Sequence, residues 1–421
     1  MKQANLVAPG KDFLGRGYFW LVLFLIFSLV PSCNKGKKSE DIRNFSSGAK
    51  KIGYNKIFSA EDNYIKNETQ VVAYLEKYYD SIWRKGNLWG GFLVAKGEKI
   101  LFEKYRGYAQ AGKRDSITAQ TPMQVASISK TITAAAILRL KEEGVLSLSD
   151  SVTQYFPEFP YPDVTIKTLL NHRSGLPKYE YFIEKIKAKN RDTTQKFLTN
   201  QDILRFLVQH KPSLDKVTDT GFMYCNTNYA LLALIAEEIC DTPFPKIIDS
   251  LVFNPLDMKN SYVFQEKDTL KSARSFFGNG KIYPFGYLDL IYGDKNVYTT
   301  PRDLYKFSKA LFSDEFLTRD SKKEIFEPYS FEKRGVNNYG LGFRMKFFGD
   351  GKKLIYHTGW WHGSNSIFIH LLKSKATLIA IGNRYSSRVY TALTLSGIFE
   401  DFPYEEVLID QRGLLTHAGS P

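Results

Sequence analysis

Between Thr131 and Leu140 the chain reads Thr-Ile-Thr-Ala-Ala-Ala-Ile-Leu-Arg-Leu, with one charge and no polar face along Ala134–Leu138. A helix that is apolar all round belongs inside a protein. Other elements must therefore wrap residues 124–143, which Gly144 closes. Just ahead of the apolar run stand Ser127 and Lys130, three positions apart and so on one side of the helix. A hydroxyl at a buried helix N-terminus lies where backbone N–H groups point outward and the dipole favours negative charge. A neutral amine one turn along can take its proton, which is the layout of an acyl-accepting serine with its base. The alternative for two such common residues is a serine near a helix start and a solvated lysine.

Three later stretches carry further signals. Ile166–Pro177, Ile-Lys-Thr-Leu-Leu-Asn-His-Arg-Ser-Gly-Leu-Pro, reads as an apolar helix end, a polar turn and Gly/Pro punctuation, with His172 a structural hydrogen-bonding residue. Tyr224-Cys225-Asn226 leads into an apolar helix, Ala230–Ile239. His357-Thr358-Gly359-Trp360 falls in the β-rich end of the chain, where 339–347, 354–358, 366–372 and 376–381 are expected as strands and 389–399 as the last helix. Nearer the start, apolar residues at helical spacing predict a helix over 68–84, and 90–95 with 100–102 predict a β-hairpin. Thr300-Pro301-Arg302-Asp303 reads as a helix N-cap.

The Thr121–Ala134 segment around Ser127 and Lys130, the Leu-Leu-x-His-x-Ser-Gly-Leu run, Tyr224-x-Asn226, Pro255–Met258 and His357-Thr358-Gly359 together resemble the penicillin-recognising serine hydrolases. These are the β-lactamase-like enzymes related to class C β-lactamases and DD-carboxypeptidases. The resemblance implies an α/β fold of the β-lactamase/DD-peptidase type, an antiparallel sheet flanked by helices with a mostly helical insertion. It also implies catalysis through an acyl-enzyme without cofactor. Ser127 would be the nucleophile, Lys130 its proton partner and Tyr224 a base or proton shuttle, with Asn226 orienting Lys130 and the substrate carbonyl. Gly359 would let substrate pair closely along the strand edge, and the N–H groups of Ser127 and Trp360 would form the oxyanion hole.

Two positions depart from the family. Lys295-Asn296 stands where relatives usually carry paired glycines, and asparagine is expected to adopt the same left-handed turn. His357 replaces the family's lysine, as in esterase and D-aminopeptidase branches. A histidine is mostly neutral at pH 7, so a penicillin carboxylate would lose its standing counter-charge and bind only as the imidazole protonates. The expected activity is hydrolysis of small ester, amide or peptide-like substrates, possibly cell-wall derived. A β-lactamase or DD-carboxypeptidase proper, and a non-catalytic protein binding cell-wall peptide, are the alternatives.

The rest of the chain narrows the class. With 421 residues, 43% hydrophobic and 15% aromatic, it can bury a large core. Its net charge of +14 suits an anionic partner surface, but no basic run or nucleic-acid motif points to nucleic acid. There is no Gly-x-Ser-x-Gly elbow and no His-Glu-x-x-His, and His357 and His362 are read as non-metal residues. Lys2, Lys11 and Arg16 precede an apolar run, Tyr18–Val30, ending at Val30-Pro31-Ser32-Cys33. That is the layout of an export signal, and the small residue before Cys33 resembles a bacterial lipobox, which implies acylation of Cys33. The organisation expected is a signal peptide over 1–32, a tether over 33–64, the hydrolase domain over 65–400 and a tail over 401–421. The protein would be a monomer, exported and lipid-anchored to a bacterial membrane, periplasmic or cell-surface. Cys225 and Cys240 are expected as free thiols.

Overall fold

The computed structural model describes residues 57–110, 115–183 and 197–403, so the expected signal segment and Cys33 lie outside the described residues. At the centre is a seven-stranded antiparallel sheet ordered β2-β1-β10-β9-β8-β7-β6. Its strands are β1 (Gly90–Lys96), β2 (Lys99–Arg106), β6 (Asn337–Tyr339), β7 (Arg344–Phe347), β8 (Lys353–Trp361), β9 (Ser364–Leu371) and β10 (Ala376–Gly382). The early hairpin joins the late strands where β1 pairs β10, Leu93 opposite Ile379. Alternation along each strand feeds two cores. Leu93, Ala95, Ile379 and Ile381 point into the larger one, while Phe92, Val94, Leu378 and Ala380 point into the smaller. Because both faces are covered, these strands are apolar at nearly every position.

The smaller core lies under α1 (Glu68–Tyr79) and a 3-10 helix, Ser387–Ile398. The helix expected over 68–84 stops being regular at Asp80, where a π-turn through Arg84 puts Trp83 fully into the core, 5.8 Å from the Phe92 ring. The expected last α-helix is the 3-10 helix instead. Thr391, Thr394 and Ser396 each donate a hydroxyl hydrogen bond to the carbonyl three residues back, competing with the α-helical ladder. The tether expected over 33–64 gives way to structure before its end. Ser59 caps a helical turn, Ala60–Asn63, and the Asn63 amide oxygen accepts from the Glu98 N–H.

The larger core surrounds α2 (Ser129–Glu142), in which every residue from Ser129 to Leu138 is buried, as its composition demands. It packs against α3 (Asn226–Cys240), while α4 (Pro301–Phe312) closes the same core against β1 and β10. Thr300 caps α4 as expected, accepting from the Asp303 N–H at 3.1 Å. A small second sheet, β3 (Met123–Gln124) with β5 (Val297–Thr299) and β4 (Tyr262–Val263), anchors the residues just before α2. The strand expected over 339–347 is two strands around Gly340-Leu341-Gly342. Gly342 (φ +83°) approaches α2 so closely that a Cβ there would lie 2.5 Å from that of Ala134. Cys225 and Cys240 are free, at opposite ends of α3 and so roughly 22 Å apart at 1.5 Å rise per residue.

Candidate active site

From Met123 to Leu138, Ser127 is the one residue that is not buried. It sits in a 3-10 turn, Ala126–Ile128, that leads into α2. The turn is pinned from both sides. The Val125 N–H donates to the Val297 carbonyl at 3.0 Å, and the Ser129 hydroxyl accepts from the Val297 N–H at 2.9 Å. Ala126 is held at φ +48°, a left-handed conformation costly for a residue with a Cβ. The turn thus presents Ser127 at the floor of a cleft of about 930 Å³.

Lys130 is fully buried one turn on, and its Nζ donates to Ser127 Oγ at 3.1 Å. A second bond, 2.8 Å to the Asp294 carbonyl, fixes its direction. The same nitrogen lies 5.1 Å from the centre of the Tyr224 ring and 5.6 Å from that of Tyr229, with no ion pair among the described residues. Orientation by Asn226 was expected and is not what holds Lys130. The Asn226 amide donates to Glu180 Oε1 instead. That leaves Asn226 Oδ1 and Glu180 Oε2 as two enclosed acceptors without a partner, both on residues that line the cleft. Burial, with the negative charge of Asp294 adding, pushes the Glu180 carboxyl above its usual range.

The Tyr224–Asn226 element is zipped to the 172–179 segment. The Cys225 N–H donates to His172 Nδ1 at 3.3 Å, Ser174 Oγ donates to Asn228 Oδ1 at 2.7 Å, and Thr227 Oγ1 donates to the Pro177 carbonyl at 2.7 Å. His172 lies behind Tyr224, ring centres 4.3 Å apart, and is held neutral by burial and by the nearby charge of Lys130. Its role is structural, as its place in the turn suggested.

The third motif is arranged differently from its expected use. Thr358 and Trp360 line the cleft with Ser127, Tyr224 and Asn226, and Trp360 is 46% exposed. His357 is fully buried behind them. Its Nε2 accepts from the Tyr339 hydroxyl at 3.0 Å, and its Nδ1 lies 2.7 Å from the Thr358 carbonyl, to which it donates. Burial, with Arg344 and Lys130 adding, drives its pKa well below the usual 6.5. It therefore offers substrate neither a charge nor a free nitrogen. Gly359 likewise faces inward. A Cβ there would lie 2.1 Å from the Val125 carbonyl, so the missing side chain admits the nucleophile turn rather than substrate.

Arg344 on β7 carries a fixed cation into the cleft, its guanidinium 4.8 Å from the centre of the Tyr224 ring. Neither Arg344 nor Glu180 stood out in the sequence. Arg344 lies in a short strand whose alternation is its only local signal, and Glu180 has none. Lys295 and Asn296 do not take the expected left-handed turn, which falls on Gly293 (φ +90°). Lys295 is buried and bonds Tyr179 and the Asp294 carboxylate, bracing the residue whose carbonyl holds Lys130. At the far end of β8, the buried Asp289 carboxylate accepts from Trp361 Nε1 (2.5 Å), His362 Nε2 (2.8 Å) and the Gly286 N–H (2.6 Å), tethering the turn after Trp360. No cluster of three or more potential metal ligands occurs among the described residues.

The chain as a whole is similar to several known proteins. Residues 75–393 match the family described as Beta-lactamase. Penicillin-binding protein 4* of Bacillus subtilis (strain 168) is 30% identical over 335 residues, which cover 75% of this chain and 73% of that protein. Among solved structures, a penicillin binding protein from Bacillus halodurans aligns over 79% of this chain and 99% of its own with a TM-score of 0.65 at 24% identity. The D-amino acid amidase of Ochrobactrum anthropi SV3, solved with L-phenylalanine, aligns over 83% of this chain and 100% of its own with a TM-score of 0.62 at 22% identity.

Proposed function

Because the chain belongs to the β-lactamase family, over residues 75–393, we propose that it is a serine hydrolase acting through a covalent acyl-enzyme at Ser127 on small ester, amide or peptide-like substrates. The observation that carries this reading is the 3.1 Å contact between Lys130 Nζ and Ser127 Oγ at the floor of the cleft. As the neutral amine, Lys130 takes the hydroxyl proton while Oγ bonds the acyl carbon. Negative charge then builds on the carbonyl oxygen, which the N–H groups of Ser127 and Trp360 receive. Tyr224, its ring centre 4.3 Å from that of His172 and 4.8 Å from the Arg344 guanidinium, passes its hydroxyl proton to the leaving group and regains one from Lys130. Water releases the acyl group by the same path in reverse.

A second reading, a DD-carboxypeptidase or β-lactamase proper, gains from one observation. Arg344 supplies the fixed cation that His357 does not, so a substrate carboxylate would meet a counter-charge in the cleft. The names of the relatives suggest penicillin and a D-amino acid amide as probes beside a simple ester. The test is intact mass after parallel incubation with a fluorophosphonate, a penicillin, a D-amino acid amide and a short acyl ester, with product release followed. An adduct on Ser127 with turnover of at least one substrate is expected. An adduct without any turnover would favour a cell-wall-peptide binding protein, and an adduct on Ser129 or Ser174 would overturn the assignment. Export and lipid anchoring at Cys33, on the periplasmic or cell-surface side of a bacterial membrane, complete the proposal and are supported by the Val30–Cys33 layout.

A further inference from the structure

The wall of the cleft includes Lys178, Lys216, Lys333 and Arg334. Basic residues are scattered over the surface of a chain with a net charge of +14, and many are neutralised by carboxylates, as Arg84 is by Asp80 and Lys99 by Glu68. These four are not: none has an ion-pair partner among the described residues. Neither of the two carboxylates in the same wall, Glu332 and Glu180, forms an ion pair with these four. Glu332 is held by Arg173, which also binds Asp219, and Glu180 accepts from Asn226. Tyr181, 66% exposed, lines the same cleft, with Lys178 Nζ 5.8 Å from its ring centre. The positive field of this wall is therefore directed at what enters the cleft rather than spent on internal pairs.

We propose that this wall is a substrate subsite for negative charge, and that the substrates are acyl esters or amides carrying a carboxylate or phosphate beyond the scissile bond. This rests on the hydrolase reading above and adds the charge class of its substrate. A cleft lined by one sign of charge concentrates ions of the other sign and speeds their arrival. Part of that field reaches through solvent, so its effect shrinks as added salt shortens the screening length.

The test uses matched esters that bear a hydroxyl, a carboxylate or a phosphate at one position, on the acyl side in one series and on the alcohol side in the other. The charged members of at least one series should show about tenfold higher kcat/KM than the neutral member at low salt. That preference should collapse near 1 M salt, where the screening length falls to about 3 Å. Which anion and which series wins identifies the group and the side of the bond that faces the wall. The double variant Lys333→Glu/Arg334→Glu should abolish or invert the charged-to-neutral ratio, while Lys77→Glu/Lys85→Glu, an equal charge change on the far surface, should keep it. Equal kcat/KM for all members in both series, with the neutral ester turned over, would overturn the subsite and leave the hydrolase reading intact. If no ester is turned over, the hydrolase reading fails by itself, and the same ratio is then read from equilibrium binding of the esters.

Discussion

Gly359 on β8 and Val125 before the nucleophile turn meet backbone to backbone. A Cβ on residue 359 would fall 2.1 Å from the Val125 carbonyl oxygen and 2.3 Å from Ser366 Oγ, which donates to that carbonyl at 2.7 Å. Gly359 has an ordinary backbone conformation, so the requirement is one of space. Gly359→Ala should push the turn off the strand and misplace the Ser127 and Trp360 N–H groups together. Overpacking of this kind costs about 1–3 kcal/mol. Fluorophosphonate labelling should slow at least tenfold and the melting temperature should drop, and unchanged labelling would show that the strand and turn are not coupled.

Lys130 and Tyr224 meet beside Ser127, with Nζ 5.1 Å from the centre of the ring. Lys130→Ala removes the group bonded to Oγ, and Tyr224→Phe removes only a hydroxyl while keeping the ring packed against His172. Each should lower acylation or deacylation by about 10²–10⁴-fold, the usual worth of a positioned acid or base. Circular dichroism should show an intact fold. Near wild-type single-turnover rates in both variants would move the base elsewhere.

Three fully buried histidines, His172, His357 and His370, have pKa values pushed well below 6.5, burial being the main cause in each. The unfolded chain protonates them below about pH 6.5, while the fold keeps them neutral. The unfolded state then binds more protons, so stability is fully present above that pH and is lost as pH falls. Each contributes up to about 1.4 kcal/mol per pH unit there. Glu180, Glu237 and Asp249, raised by burial, act in the opposite sense from about pH 4 up through their folded pKa values. Urea unfolding between pH 5.5 and 7 should therefore show stability rising with pH, and His370→Gln, remote from the cleft, should flatten the slope. An unchanged slope would remove His370 from the account.

Much of this arrangement is legible in the sequence because it is local. The apolar run of α2 cannot sit outside, and Ser127 and Lys130 share its side by spacing alone. Thr300 caps α4 because its hydroxyl needs only the N–H three residues on. What stays hidden depends on neighbours distant in the chain. His357 looks like a substrate ligand until Tyr339 and Arg344 surround it, and Gly359 looks permissive for substrate until Val125 fills the space. Arg344 comes to the cleft through sheet register and Glu180 through a helical turn starting at Tyr179, neither of which residue type announces.

Cys33 ends the apolar run Tyr18–Val30, and the residues after it have no helical or strand periodicity. If Cys33 carries a lipid, Cys33→Ser should shift the protein from the membrane to the soluble fraction on fractionation. Retention in membranes would make the apolar run itself the anchor.

The choice between charged and neutral substrates near Ser127 turns on Arg344 rather than His357. Both ring nitrogens of His357 are already used, one by the Tyr339 hydroxyl and one by the Thr358 carbonyl, and its pKa lies far below the assay range. Binding of a carboxylate-bearing substrate should therefore not improve as pH falls from 8 to 6, as it would if this imidazole were gaining charge. Arg344 holds its charge throughout and lines the cleft beside Tyr224. Hydrogen bonds to charged groups are worth about 1.5–3 kcal/mol. Arg344→Gln should thus raise KM for a carboxylate-bearing ester by at least tenfold relative to its neutral isostere. The ratio is the readout, because the guanidinium also packs on the Tyr224 ring and its loss will affect both substrates. His357→Lys should not create an anion site. It buries an amine beside the charges of Arg344 and Lys130, so a lower melting temperature is expected instead. Tighter penicillin binding by His357→Lys, with Arg344→Gln leaving the substrate ratio unchanged, would return the role to residue 357.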